Sequence, residues 1–438
     1  MLWMESGGVN YGRKPIRWRQ GRRRPQGGII ICRGADGAST HTQDSLCRPI
    51  RRFGKVHGLW WTVGKRQQRW LLKLAVTLIC VLTAVVARWG AEVELPSSER
   101  PVLLRCRQIG DDLRQELVTA VREAKESVLI AVYALTDARL ISACNDVARR
   151  GVQVQIATHR EHVTQLRRLL APEVALIAPP GSGLMHRKLL VVDRRWVWVG
   201  SANFTTSSLC LHDNLTIACE AAPLAQWLWN YYQALFEERR PPPPYVARMM
   251  AGGQELQMWL MPEASALGML IEQIDGAKRS IQLALFAWTH PKLTDALKRA
   301  ARRGVRVEMV VDQAAARGSS VQAVADARKA KIPVMERGGR ALCHHKLAII
   351  DEEQLITGSA NWTRSAFEKN AECVIRIAPL TDDQRQTCRA LWKQLTTRNS
   401  TPATRPHWVW QDGASGGGGG AAQGPPDRSE VEPDRIAA

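Results

Sequence analysis

Two stretches of the chain repeat one constellation of reactive side chains. Residues 186–203 read HRKLLVVDRRWVWVGSAN and residues 344–361 read HHKLAIIDEEQLITGSAN. Both spell H-x-K, four residues, D, six residues, G-S-x-N, and the copies lie 158 residues apart. Histidine changes charge near neutral pH, so it can attack an electrophile or move a proton. Ammonium, hydroxyl and amide groups hold anionic oxygen. The set His186, Lys188, Ser201, Asn203 and its counterpart His344, Lys346, Ser359, Asn361 therefore describe an anion site with a titratable nitrogen in it. A lone histidine on a strand is more often structural than catalytic. A pair, each with Lys two residues on and G-S-x-N downstream, reverses that expectation.

The spacing dictates the elements that must carry these groups. Side chains alternate faces along a strand, so His186 and Lys188 project together, as do His344 and Lys346. The apolar runs 189–192 and 347–350 bury the rest of each strand. Asp193 and Asp351 fall at turns, and a second strand (VWVG, LITG) returns the chain so that the serines and asparagines lie near the His–Lys end. His345 points away from the side of Lys346 and reads as a bystander. The repetition starts well before the motif: residues from Ala124 match residues from Ala277 at a constant offset of 153, so the second copy inserts five residues before its histidine. Each copy reads helix, strand, helix, strand. Leu113, Leu117 and Val121, like Leu267, Ile271 and Ile274, follow a helical period. Runs 128–134 and 281–287 are near-continuously apolar, as strands buried on both faces are. Asp137 and Pro291 open helices that stop at Gly151 and Gly304. Such alternation predicts sheets covered by helices, in duplicate. Gly181 to Gly183 and Gly338 to Gly339, just upstream of the two histidines, read as turns or as loops that admit substrate.

The paired motifs resemble those of the phospholipase D superfamily, over about residues 102–399. The resemblance implies an α/β fold of two tandem halves, each a mixed sheet flanked by helices, related by a pseudo-twofold around one shared active site. It implies His186 as nucleophile forming a phosphohistidine and His344 as acid and base, with Lys188, Lys346, Asn203 and Asn361 on the phosphoryl oxygens, Ser201 and Ser359 beside them, and no metal or other cofactor. Elementary chemistry agrees: cations and amides aimed at the spread negative charge of a phosphodiester transition state are the largest stabilising contribution available. Asp193 and Asp351 belong to the motif's catalytic set, yet their opposite strand parity points to a structural ion-pair role. Family members often place an acidic residue after G-S-x-N to orient the imidazole. Glu372 fills that place in the second half; the matching place in the first holds Thr216, and Asp213 is the nearest carboxylate that can substitute.

Charge is unevenly spread. Residues 1–88 hold 17 Lys/Arg against 3 Asp/Glu, a balance of +14 within a total of +20, so most basic character lies outside the motif region and says little about nucleic acid. Residues 1–69 read as a basic, disordered tail. Residues 70–89 read as an apolar signal or anchor segment, flanked by Trp70 and Trp89, that would place the catalytic region outside the cytoplasm, at a membrane or exported. Ten cysteines show no C-x-x-C or zinc spacing, and an exported protein usually pairs or avoids such thiols. The expected layout continues with a first half at 102–238, a Pro-rich linker at 239–255, a second half at 256–399 and a Gly-rich tail at 400–438. A chain with both motifs needs no protein partner to complete a site, which suits a monomer.

Three functions remain open at this level. A phospholipid phosphodiesterase, hydrolysing head groups or transferring phosphatidyl groups, is motivated by the apolar segment and by two motifs in one polypeptide. A metal-independent endonuclease is motivated by compact halves and basic charge. A catalytically dead scaffold is disfavoured because both motifs are intact.

Overall fold

The computed structural model describes residues 65–89 and 93–397. The expected tail at 400–438 and nearly all of that at 1–69 lie outside the described residues. Residues 65–89 form one helix, Lys65–Trp89. Among the described residues no helix is long and apolar enough to cross a membrane, which overturns the expected membrane anchor and the placement derived from it. The reason lies in the charges. Lys65, Arg66, Arg69, Lys73 and Arg88 fall within the helix and leave 14 uncharged residues. At about 1.5 Å per residue that run spans roughly 21 Å, short of a hydrocarbon core of about 30 Å.

Residues 93–397 contain two mixed sheets. The first uses β1 (Val102–Arg105), β2 (Ser127–Val132), β3 (Gln153–Thr158), β4 (Ala175–Ile177), β5 (Lys188–Val192), β6 (Trp196–Gly200) and β7 (Thr216–Glu220), in the order β1-β7-β6-β5-β2-β3-β4. The second uses β8 (Val246–Ala251), β9 (Gln254–Met261), β10 (Ser280–Leu285), β11 (Arg306–Asp312), β12 (Val334–Arg337), β13 (Lys346–Ile350), β14 (Gln354–Gly358) and β15 (Glu372–Ala378), in the order β12-β11-β10-β13-β14-β15-β9-β8. Apart from β8 the orders are the same. In each, three parallel strands adjoin the antiparallel ladder that carries the motif. The expected fold class, duplicated α/β with helix-flanked mixed sheets, is the observed one. Strand β8 lies inside the segment expected to be a linker, because the Gly252–Gly253 turn folds 246–261 into a hairpin on the sheet edge.

The helices form where the periodicity places them. Asp137 accepts from the Arg139 and Leu140 amides and starts Ala138–Arg149, while Pro291 opens Pro291–Arg302. Leu113–Glu123 and Ala138–Arg149 bury their apolar faces under the first sheet, and Leu267–Gly276 and Pro291–Arg302 do so under the second. A third core lies between the halves: Leu189, Val191 and Leu228 from the first join Leu347, Ile349 and Leu391 from the second. Burial of apolar area at about 25 cal/mol per Å² makes that shared core the force that docks the halves.

Candidate active site

Strands β5 and β13 deliver the two His–Lys pairs to this junction. Each motif's lysine opens its strand, and its ammonium donates to the main-chain oxygen of its own histidine: Lys188 Nζ to His186 O at 2.7 Å, Lys346 Nζ to His344 O at 2.9 Å. The motif glycines are sterically required. A Cβ on Gly200 would lie 2.2 Å from Leu215 O, and one on Gly358, whose φ is +146°, would lie 2.2 Å from Cys373 O. Each close approach lets the strand end and the returning chain share a tight corner behind the histidine.

The segments entering the histidines are stitched across the interface. His186 N donates to Ala371 O at 2.8 Å and Ala371 N to Leu184 O at 2.8 Å; in the other half His344 N donates to Asp213 O at 2.9 Å and Asp213 N to Leu342 O at 2.8 Å. Side chains cross as well. Glu372, from the second half, accepts from His186 Nδ1 of the first at 2.7 Å, and Asn214, from the first half, accepts from His344 Nδ1 of the second at 3.0 Å. The Asn214 amide is fixed because its Nδ2 donates to Ser208 O at 2.9 Å, so Oδ1 is the acceptor. Both rings therefore carry hydrogen on Nδ1 and present a bare Nε2 when neutral. These Nε2 atoms are buried and have no hydrogen-bond partner among the described residues.

Burial and charge set the proton affinity. His186 is pushed down to about 4, first by burial and also by Lys188 and Lys346, with Glu372 opposing. His344 is held well below the usual range by burial, then by Lys346, Lys188 and His186. Each imidazole thus feels the other half's lysine, so the four groups form one cluster. Tyr133 lies edge-on to His186 with centroids 5.5 Å apart, and Phe286, its equivalent at the 153 offset, lies 4.9 Å from His344. Leu184 and Leu342 pack on these two rings. The apolar wall is the source of the desolvation.

Several expected roles change. Asp213 does not orient an imidazole: its carboxylate pairs with Arg337 at 2.5 Å and Arg107 at 3.5 Å. Asn214 has the orienting place, eleven residues after Asn203 as Glu372 is eleven after Asn361, a count that also excludes Thr216. Ser201 and Ser359 do not face the cluster as anion ligands. Their hydroxyls donate to Asn214 Oδ1 at 2.8 Å and Glu372 Oε2 at 2.5 Å, and accept from Leu215 N and Cys373 N. Asp193 and Asp351 are neither in the cluster nor primarily in ion pairs. Asp193 accepts from the amides of Lys125, Glu126 and Ser127, and Asp351 from those of Lys278, Arg279 and Ser280, so each clamps the turn before its half's first central strand. Asn203 and Asn361 are buried beside the motif histidines' strands. Arg187, between His186 and Lys188, was not foreseen; buried, it donates to Glu372 O, Met261 O and Glu263 and so ties the halves together. His345 is buried against Gln108 at 3.1 Å, away from the cluster. A cavity of about 840 Å³ is lined by Gly181, Gly183, Met185 and Ala371, but by neither motif histidine.

Comparisons with known proteins find the same duplication. The family model described as "Cardiolipin synthase, PLD-like domain" matches residues 117–236 and again 270–392, more than half of the chain. The mitochondrial cardiolipin hydrolase of Mus musculus is 39% identical over 175 residues, which are 37% of this chain and 76% of that protein. A phospholipase D of Rickettsia prowazekii (strain Madrid E) is 34% identical over 116 residues, 26% of this chain; the chain spans only 56% of that relative. Phosphatidylserine synthase of Haemophilus influenzae Rd KW20 shares the fold at a TM-score of 0.56 and 11% identity, covering 69% of this chain and 87% of that one. A motif written twice, a sheet order built twice and a family model matched twice lead to one statement: the chain belongs to the phospholipase D superfamily.

Proposed function

We propose that the chain is a phospholipase D-type phosphodiesterase that acts on phospholipids, by head-group hydrolysis or phosphatidyl transfer, through a phosphohistidine at His186. The observation that carries this reading is the 2.7 Å bond from His186 Nδ1 to Glu372, made across the two halves. A ring phosphorylated on Nε2 becomes cationic, and a carboxylate on Nδ1 offsets that charge. Asn214 offers His344 only a neutral amide, which suits a group that must alternate between acid and base.

In the first step the neutral His186 Nε2 attacks phosphorus, the bond to the head-group oxygen breaks, and His344 gives that oxygen a proton. In the second, His344 takes a proton from water or an acceptor alcohol, whose oxygen attacks phosphorus and releases His186. Lys188, Lys346, Asn203 and Asn361 stabilise the equatorial oxygens. The relatives named for cardiolipin hydrolysis and phospholipase D support a lipid substrate.

The test incubates the full chain, with EDTA present, with fluorescent phosphatidylglycerol and phosphatidylcholine in vesicles and, separately, with plasmid DNA. Release of head group or formation of a transphosphatidylation product is expected, and His186→Ala and His344→Ala should each lower turnover by about 10⁴-fold or more, as members of one catalytic unit do. Nicking of DNA with inert lipid would replace this reading with the endonuclease.

A further inference from the structure

We propose that His159 and Asp312 are positioning residues for the two reacting imidazoles, each acting through the peptide N–H immediately before its half's motif histidine. His159 Nδ1 accepts from Met185 N at 3.3 Å, and Asp312 Oδ2 accepts from Cys343 N at 3.0 Å. His159 follows β3 and Asp312 ends β11, at the same place in the repeat, 153 residues apart. Met185 and Cys343, by contrast, are 158 apart, because the second half inserts five residues between the two partners. The bond spans 26 residues in one half and 31 in the other, yet joins equivalent points in both. A contact kept across a change in intervening length and a change of side chain marks a requirement for an acceptor at that point.

Its surroundings explain the requirement. Three successive N–H groups lead into each reacting ring. The first is held by a side chain of the opposite half, Leu184 N by Asn370 at 3.1 Å and Leu342 N by His212 at 3.2 Å. The third, of the histidine itself, is held by an opposite-half carbonyl. Only the middle one is anchored to its own sheet, through His159 or Asp312. That anchor fixes the imidazole relative to the lysine and asparagine of its own half, while the other two fix it relative to the orienting group across the interface. Both anchoring side chains are buried. The acceptor role gives neutral His159 its hydrogen on Nε2, and the ring stacks on Tyr133, with centroids 5.3 Å apart, behind His186.

The inference rests on the phosphodiesterase reading, and its test separates the two. His159→Phe keeps a ring against Tyr133 and removes the acceptor; His159→Asp supplies the acceptor that the second half uses. With a phospholipid that the unaltered chain turns over, His159→Phe is expected to lower kcat by about 10- to 100-fold with KM within about twofold, the size of effect that a displacement near 1 Å produces. His159→Asp is expected to return kcat to within about threefold. In parallel, the downfield proton resonance of His186 Nδ1–H on Glu372 should shift in His159→Phe and return in His159→Asp, a readout that needs no turnover. Unchanged kcat and resonance in His159→Phe, or an Asp variant as impaired as the Phe variant, would overturn the proposal. Should His159→Phe not fold, His159→Asn, which keeps an oxygen acceptor for Met185 N, against His159→Leu carries the same comparison, free of the helix-opening bonds that Asp312 also accepts from Ala314 N and Ala315 N. Lack of turnover by the unaltered chain would instead overturn the proposed function, with the resonance comparison still deciding the positioning role.

Discussion

At the scale of single residues, the account turns on two imidazoles with different backing. Replacing Glu372 by Gln keeps an acceptor for His186 Nδ1 but removes the charge that opposes a phosphorylated ring. A loss in kcat of about 100-fold or more is expected, with KM little changed, and rapid-quench kinetics should locate it in the phosphorylation step. A wild-type rate would contradict the charge argument. The lowered proton affinities have a second consequence. At pH 7 both rings are neutral in the free protein, since burial and the two lysines hold His186 near 4 and His344 well below its usual range. An anionic phosphoryl group placed between the lysines offsets their charge and raises His344, so binding should take up about one proton. Calorimetry with vanadate in buffers of different ionisation enthalpy measures this directly; no uptake would mean that His344 does not become the acid. The motif positions were legible because their spacing is local to one hairpin. The exchange of orienting residues between halves was not, since it is produced by docking, and no local pattern encodes which half an acid will face.

At the scale of elements, the aspartates of the motif are the clearest instructive difference. Strand parity pointed them away from the His–Lys cluster, and their partners are amides three positions in a row, which sequence does not announce. Asp193 and Asp351 have φ of +49° and +55°, left-handed values that the turn imposes and that Asp tolerates better than most side chains. Because each accepts several amide hydrogen bonds, Asp193→Ala should cost about 2 kcal/mol of stability, read by urea denaturation, with kcat kept within a few-fold. A loss of kcat without loss of stability would return Asp193 to the chemistry. The helices and central strands were legible from periodicity and caps. The hairpin of β8 and β9 was not, because Pro and Gly runs signal a break in structure and leave its length open.

At the scale of the whole molecule, duplication makes one site from two distant motifs. Neither half alone carries both a motif histidine and its hydrogen-bond partner: His186 bonds Glu372, and His344 bonds Asn214. Residues 70–89 read as a signal or anchor segment by their apolar centre, but the uncharged run within the helix Lys65–Trp89 is too short to cross a membrane.

The most direct test traps the covalent intermediate. In His344→Asn, a ³²P-labelled phosphatidyl p-nitrophenol supplies a leaving group that needs no proton, so the first step proceeds while water activation is lost. The account predicts acid-labile, base-stable label at one equivalent per chain, mapped to the peptide that contains His186 and attached at Nε2. Label on another residue, or a phosphate that never joins the protein while product still forms, would contradict it.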